Sequence, residues 1–243
     1  MPLLRVNPDF DASPEELARD LDRMARSPRP LERPVVVLAG WRSPACTPGS
    51  LARRLRELTS GNRSDFLVLA YPLTGDFERI VTHVRARVAA RFPGEVGGRP
   101  APVDVVAISM GGLVARAAAI DRFASGPTLG MARLFTLSTP HRGASLARRI
   151  RPDSSARVMQ PGSGTLATLD EALPSRTYEL ICYGQPRDWW IGDDTQAPAG
   201  MPLLWADVRT PLFAPVSHFT VNRNELIIAD IARRLRGEAP IAR

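Results

Sequence analysis

"VDVVAISMGGLVAR" occupies residues 103–116 and joins two kinds of local structure. Its opening is apolar apart from Asp104, the kind of run that becomes a strand covered on both faces. The run ends on Ser109 and resumes as a helix through Gly111 and Gly112. A core strand has no use for a hydroxyl at its tip. A sharp strand-to-helix turn does need small neighbours, because the two elements approach closely there, and Ala107 and Gly111 supply them. In this small-x-Ser-x-Gly pattern the Ser109 hydroxyl stands above the sheet. The Met110 N–H then lies at a helix N-terminus, where developing negative charge is favoured.

The same alternation extends outward in both directions. "VVVLAG" (35–40), "DFLVLAY" (65–71), "ARLFTLS" (132–138), "TYELICYG" (177–184) and "MPLLWADV" (201–208) read as further strands. Between them come helical spacings: Leu51, Leu55 and Leu58, then Phe77, Val81, Val84 and Val88. A closing helix carries Ile227, Ile228, Ile231 and Leu235. Strand–helix alternation predicts parallel strands joined by right-handed crossovers, an α/β architecture. Ahead of it, "SPEELARDLDRMAR" carries a capping box, Ser13 with Glu16, and Pro14 just inside the start, so it reads as an amphipathic helix. "SPRPLERP" is too proline-rich to stay helical. The chain thus divides into an N-terminal helix and linker (1–33) and one α/β domain (34–240). Residues 143–175, with the turn-rich "QPGSGT", read as a long irregular insertion.

The length of 243 residues suits one such domain, and 44% hydrophobic with 23% charged residues is an ordinary globular balance. The net charge of +7 raises the question of nucleic acid. All 32 basic residues are arginine, however, and they are spread along a chain with 23 prolines, as codon bias in a GC-rich genome would produce. Only Arg148, Arg149 and Arg151 cluster, as a solvated face does. No nucleic-acid partner is expected; peripheral contact with an anionic lipid interface stays open. Two cysteines, Cys46 and Cys182, are too few for a disulfide framework, and Cys182 is expected to be a buried thiol. No apolar run reaches bilayer length, and the N-terminus lacks the apolar core of a secretory signal, so the expectation is a cytoplasmic protein. Oligomeric state is not readable.

In parallel sheets ligands bind beyond the carboxyl ends of the strands, so the loops after each strand are where chemistry belongs. After the first, Gly40 lets the backbone come close, and the Trp41 amide is the natural partner of Met110 in an oxyanion hole. After the fifth, "GQPRDWWIGDD" offers Asp188 to orient a histidine, with Asp193 and Asp194 as rivals that read as solvated. After the sixth, His218 stands where a base could reach Ser109. His83 falls on the polar side of its helix. His141, in "STPHRG", either lines the site floor or locks a turn. Substrate contacts are expected from Trp41, Trp189 and His141. The three histidines lie far apart, and no metal or organic cofactor is implied.

The segments "VVVLAGW", "AISMGGLVAR", "LFTLSTPHRGASLA", "YGQPRDWWIG" and "SHFTVNRNELIIADI" together resemble the α/β-hydrolase superfamily. Within it they resemble the lipase/esterase branch of triacylglycerol-lipase-like and GPI-inositol-deacylase-like proteins. They span most of residues 34–236 and keep the superfamily's order of Ser, Asp and His. The resemblance implies an α/β-hydrolase fold: a mostly parallel sheet, helices on both faces and a short cap over 143–175. It implies a serine carboxylic-ester hydrolase acting on a small-molecule or lipid ester through Ser109, Asp188, His218 and an acyl-enzyme. An acyltransferase or thioesterase with the same triad, or an inactive hydrolase-fold binding protein, are the alternatives. Two departures stand out. The family's His-Gly before the oxyanion residue is Ala39-Gly40 here, which removes a side chain that braces the loop, and the first elbow glycine is Ala107.

Overall fold

The computed structural model describes residues 9–94, 101–144, 147, 153–206 and 217–242. Six strands form one sheet among them: β1 (Val35–Leu38), β2 (Phe66–Leu69), β3 (Val103–Ile108), β4 (Met131–Leu137), β5 (Glu179–Gly184) and β6 (Leu203–Trp205). Their spatial order is β2-β1-β3-β4-β5-β6, and every neighbouring pair is parallel. The crossovers are helical: α2 (Cys46–Leu58), α3 (Phe77–Arg91) and α4 (Met110–Ala118), with α8 (Glu225–Leu235) closing the domain.

The continuous apolar runs are explained by two-sided burial. In β1, Val36 and Leu38 pack with Phe77, Val81 and Val84 of α3 and Leu113 of α4. Val35 and Val37 pack on the opposite face with Leu51, Leu55 and Leu58 of α2 and Ile227 and Ile231 of α8. Each fully buried valine or leucine contributes about 1.5–3 kcal/mol, so a polar residue at any of these positions would be costly. Asp104 is the exception in β3. It is buried at the strand's N-terminal end, where the Arg133 guanidinium donates to both its oxygens, the Nε bond being 2.9 Å.

The capping box of α1 (Pro14–Arg26) forms as the sequence predicts: Glu16 N–H donates to Ser13 Oγ and Ser13 N–H donates to Glu16 Oε2. Met24 of α1 is buried in the α2/α8 face of the core. Arg236 then ties that helix down by donating to the Leu58 and Ser27 carbonyls at 2.9 and 3.0 Å.

The stretch 143–175 departs from the irregular reading. It contains α5 (Ser154–Val158) and α6 (Gly164–Glu171), capped by Asp153 and Ser163. Both helices are too short for an apolar period to register in sequence, and they persist because α5 packs on α3 and α6 on α4. Residues 148–152, with the arginine cluster, lie outside the described residues, as do 207–208 at the expected end of the sixth strand. Among the described residues no helix is long and apolar enough to cross a membrane.

From β1 the chain crosses to β2 on one side; from β3 it crosses to β4 on the other. The loops leaving these two adjacent strands therefore diverge and open a crevice at their carboxyl ends. Gly40 and Ser109 are the residues at its lips.

Candidate active site

Ser109 sits between β3 and α4 with φ of 51° and ψ of −126°. For a residue with a Cβ, such a conformation costs on the order of 1–3 kcal/mol and persists only where its surroundings over-determine it. Here they do. Ser109 N–H donates to the Leu137 carbonyl at 2.8 Å. Its own carbonyl accepts from Thr139 Oγ1 at 2.7 Å and from Gly112 N–H at 3.0 Å. Close packing needs the small residues read from the sequence: a Cβ on Gly111 would lie 2.7 Å from the Ala39 carbonyl oxygen. Gly40 abuts the serine itself, since a Cβ there would come 3.2 Å from Ser109 Cβ.

Asp188 and His218 meet. His218, in α7 (Ser217–Thr220), has Nδ1 at 2.8 Å from Asp188 Oδ2. Asp188 is buried, and its other oxygen accepts the N–H groups of Trp190 and Ile191 at 3.1 and 3.2 Å. Three donors thus converge on one carboxylate and fix its orientation. A carboxylate oxygen accepts, so His218 Nδ1 carries a proton that it donates to Asp188, and Nε2 lies on the other side of the ring. Trp190 stacks on the imidazole, with ring centroids 6.2 Å apart and planes 16° apart, and Phe219 closes against both edge-on. Asp193 and Asp194 lie exposed in a short turn and border a different surface depression.

Ser109 and His218 line the same cavity, about 450 Å³, open to solvent. The loop after β1 forms one lip through Gly40, Trp41 and Arg42. Pro140, Ala144, Ala147, Ala156 and Met159 form a largely apolar wall, and Trp190, Phe219 and Asn222 stand on the side of His218. Among the described residues, no hydrogen bond takes up the N–H of Trp41 or of Met110.

Two residues expected to touch substrate do not line this cavity. Trp189 is 67% exposed and does not line the cavity; its neighbour Trp190 does. "DWW" alone does not say which ring turns inward. His141 is fully buried beneath the site. Its Nδ1 lies 3.0 Å from Arg116 Nη1, and a guanidinium only donates, so Nε2 carries the proton and donates to Thr136 Oγ1 at 3.1 Å. Burial, with the Arg116 charge adding to it, holds the imidazole well below its usual pKa, neutral. Arg116 continues to the Leu169 carbonyl at 2.7 Å, so the pair locks α4 to α6. Sequence reading also missed Asp153, which accepts from the Trp41 indole; its N-cap position before "SSARV" was the available signal.

No protein-family model and no curated protein matches the sequence. Solved structures do share its fold. The mature form of Bacillus licheniformis lipase BlEst2 superposes with a TM-score of 0.58 at 13% identity, over 86% of this chain and 94% of that one. Aspergillus fumigatus lipase B gives 0.54 at 14% identity over 86% of this chain, which spans 53% of that lipase. The product of gene lin2722 of Listeria innocua gives 0.54 at 10% identity, over 86% of this chain and 95% of that one. At such identities the likeness speaks for architecture, and with a parallel sheet whose order reverses at Ser109 it makes this chain an α/β-hydrolase fold protein.

Proposed function

We propose that the protein is a serine carboxylic-ester hydrolase in which Ser109 is the nucleophile, His218 the base and Asp188 its orienting acid. The observation that carries this reading is the 2.8 Å bond from His218 Nδ1 to Asp188 at the edge of the cavity that Ser109 lines. Ser109 Oγ attacks the acyl carbon while its proton passes to His218 Nε2. The carbonyl π pair moves onto oxygen, and the resulting oxyanion is met by the Trp41 and Met110 amides. Collapse breaks the bond to the alcohol oxygen, which takes the proton from His218. Water then repeats the sequence on the acyl-enzyme and regenerates Ser109.

The same roles orient the substrate. The leaving oxygen has to lie near His218 Nε2, because it receives that proton. The alcohol part therefore rests toward Trp190, Phe219 and Asn222, and the acyl part against the wall of Ala144, Ala156 and Met159. Lipase neighbours support an ester of apolar acid as substrate. The test is turnover of p-nitrophenyl esters of increasing acyl length, with Ser109→Ala and His218→Ala alongside. Hydrolysis that both variants abolish is the expected result. Full activity in Ser109→Ala overturns the assignment.

A further inference from the structure

The loop that carries the Trp41 amide has no side-chain brace from its first two residues. Ala39 and Gly40 bring no polar side chain, and Arg42 adopts a left-handed φ of 49°. Its backbone is fixed nearby, where Tyr71 Oη donates to the Ala39 carbonyl and Ser43 N–H to the Gly40 carbonyl at 3.3 Å, but the Trp41 and Arg42 side chains are held from more than a hundred residues away. The Asp153 carboxylate accepts the Trp41 indole N–H, with distances of 3.2 and 3.1 Å to its two oxygens. It also accepts from Arg42 Nε and Nη2 at 3.1 and 2.9 Å. The Arg42 guanidinium lies over the Trp41 ring, 5.4 Å from its centroid, so the two side chains clasp the carboxylate together.

The same carboxylate caps α5, taking the Ala156 N–H at 2.8 Å. It is seated against Gly75, where a Cβ would fall 2.2 Å from Asp153 Oδ2 and 2.5 Å from its Cβ. Gly75 also takes up the first residues of α5: its carbonyl accepts from Ser155 N–H at 2.9 Å and Ser154 Oγ at 3.1 Å. Ala156 lines the acyl wall. One side chain therefore joins the donor loop, the cap segment and the loop after β2.

We propose that Asp153 is a positioning residue: it aims the Trp41 amide at the developing oxyanion and makes that aim depend on the seating of α5. Asp153 touches no reacting atom. It acts through Trp41 and Arg42, and the proposal rests on the ester-hydrolase reading of the site. An anchor that matters only when charge develops on oxygen should affect kcat and leave ground-state binding alone.

Three variants test this in the full chain. Asp153→Ala removes every bond. Asp153→Asn keeps an acceptor for the indole and for the helix cap and loses the charge that faces Arg42. Gly75→Ala leaves Asp153 in the sequence and displaces its carboxylate. Each is assayed for p-nitrophenyl butyrate turnover per serine titrated by a fluorophosphonate, so that misfolded protein does not count. A second readout is affinity for an alkyl trifluoromethyl ketone, whose carbonyl carbon adds Ser109 Oγ and whose oxygen becomes an oxyanion, against affinity for the corresponding alcohol, which forms none. A lost oxyanion donor typically costs about 10²- to 10³-fold, and a misaimed one less. Asp153→Ala is expected to lower kcat and ketone affinity about 10- to 100-fold with KM and alcohol affinity within about twofold. Gly75→Ala is expected to move in the same direction, and Asp153→Asn to recover most of the loss.

Unchanged kcat and ketone affinity in both Asp153→Ala and Gly75→Ala would overturn the proposal, even if both variants melt earlier. So would a rise in KM at constant kcat, which would make Asp153 part of the binding wall. If wild-type protein neither turns over esters nor reacts at Ser109, the reading of the site falls and this inference with it. If wild type is active and the variants match it, the inference alone falls.

Discussion

Replacing Asp188 by asparagine tests the candidate site at its most constrained point. Asp188 Oδ1 accepts two backbone N–H groups, at 3.1 and 3.2 Å, and Oδ2 faces His218 Nδ1 at 2.8 Å. Asparagine has one oxygen and one NH2 for these two places. With its oxygen on the backbone side, the NH2 faces Nδ1, which must then accept. The ring proton moves to Nε2, the atom that has to receive the proton of Ser109. The reverse orientation keeps the useful tautomer but sets NH2 against the Trp190 and Ile191 donors in a fully enclosed spot. Each buried donor left without a partner costs about 1–3 kcal/mol, so the unproductive orientation is favoured by roughly 30-fold to 10⁴-fold. Loss of the charge that offsets the imidazolium comes on top, and the same exchange in a serine protease triad costs about 10⁴ in kcat. The expected result is a fall in kcat of about 10³- to 10⁴-fold with little change in KM or in melting temperature. Steady-state hydrolysis of p-nitrophenyl butyrate measures it, with the exposed Asp194→Asn as the control expected to stay within about twofold. A loss below tenfold in Asp188→Asn, or equal mild losses in both variants, would refute the role given to Asp188.

Other expectations concern the frame around the site. His141 is neutral in the folded chain, with its pKa below the unfolded value of about 6.5, so the unfolded chain binds the extra proton. Stability should fall as pH drops below that value, by up to about 1.4 kcal/mol per unit, and less steeply in His141→Gln; denaturant melts at pH 7, 6 and 5 compare the two, and parallel curves would contradict it. Gly111→Ala forces a Cβ within 2.7 Å of a backbone oxygen, and should cost about 1–3 kcal/mol in denaturant unfolding; a neutral effect would mean that β1 and α4 are not so closely packed. Cys46 is exposed, whereas Cys182 is buried and its thiol is pushed up to about 11. A thiol reagent at pH 8 should therefore modify one cysteine rapidly and the second only on unfolding, and rapid reaction of both would be inconsistent with the packing of β5.

Much of this protein could be read from residues near one another in the chain. A sheet covered on both faces demands unbroken apolar runs, and those runs located the strands, the sixth being shorter than its run, at Leu203–Trp205. The turn at Ser109 demands small residues on both sides, and Ala107 and Gly111 announce it. A helix cap needs an oxygen at a fixed offset, and Ser13 provides it. Short helices such as α5 carry no such period, because a few residues cannot display one; their packing on the older frame of α3 and α4 is what stabilises them. Nor does the sequence say which way a ring turns, so Trp190 rather than Trp189 faces His218 only once the loop after β5 is built. The loop position of His141 does not say either that Arg116 of α4 meets its ring in the core. The meeting of Asp188 with His218, and of Asp153 with Trp41, Arg42 and Gly75, depends on segments remote in the chain arriving at one rim. Local sequence sets which conformations are cheap; which side chains touch is decided by the packing of the whole sheet and its helices.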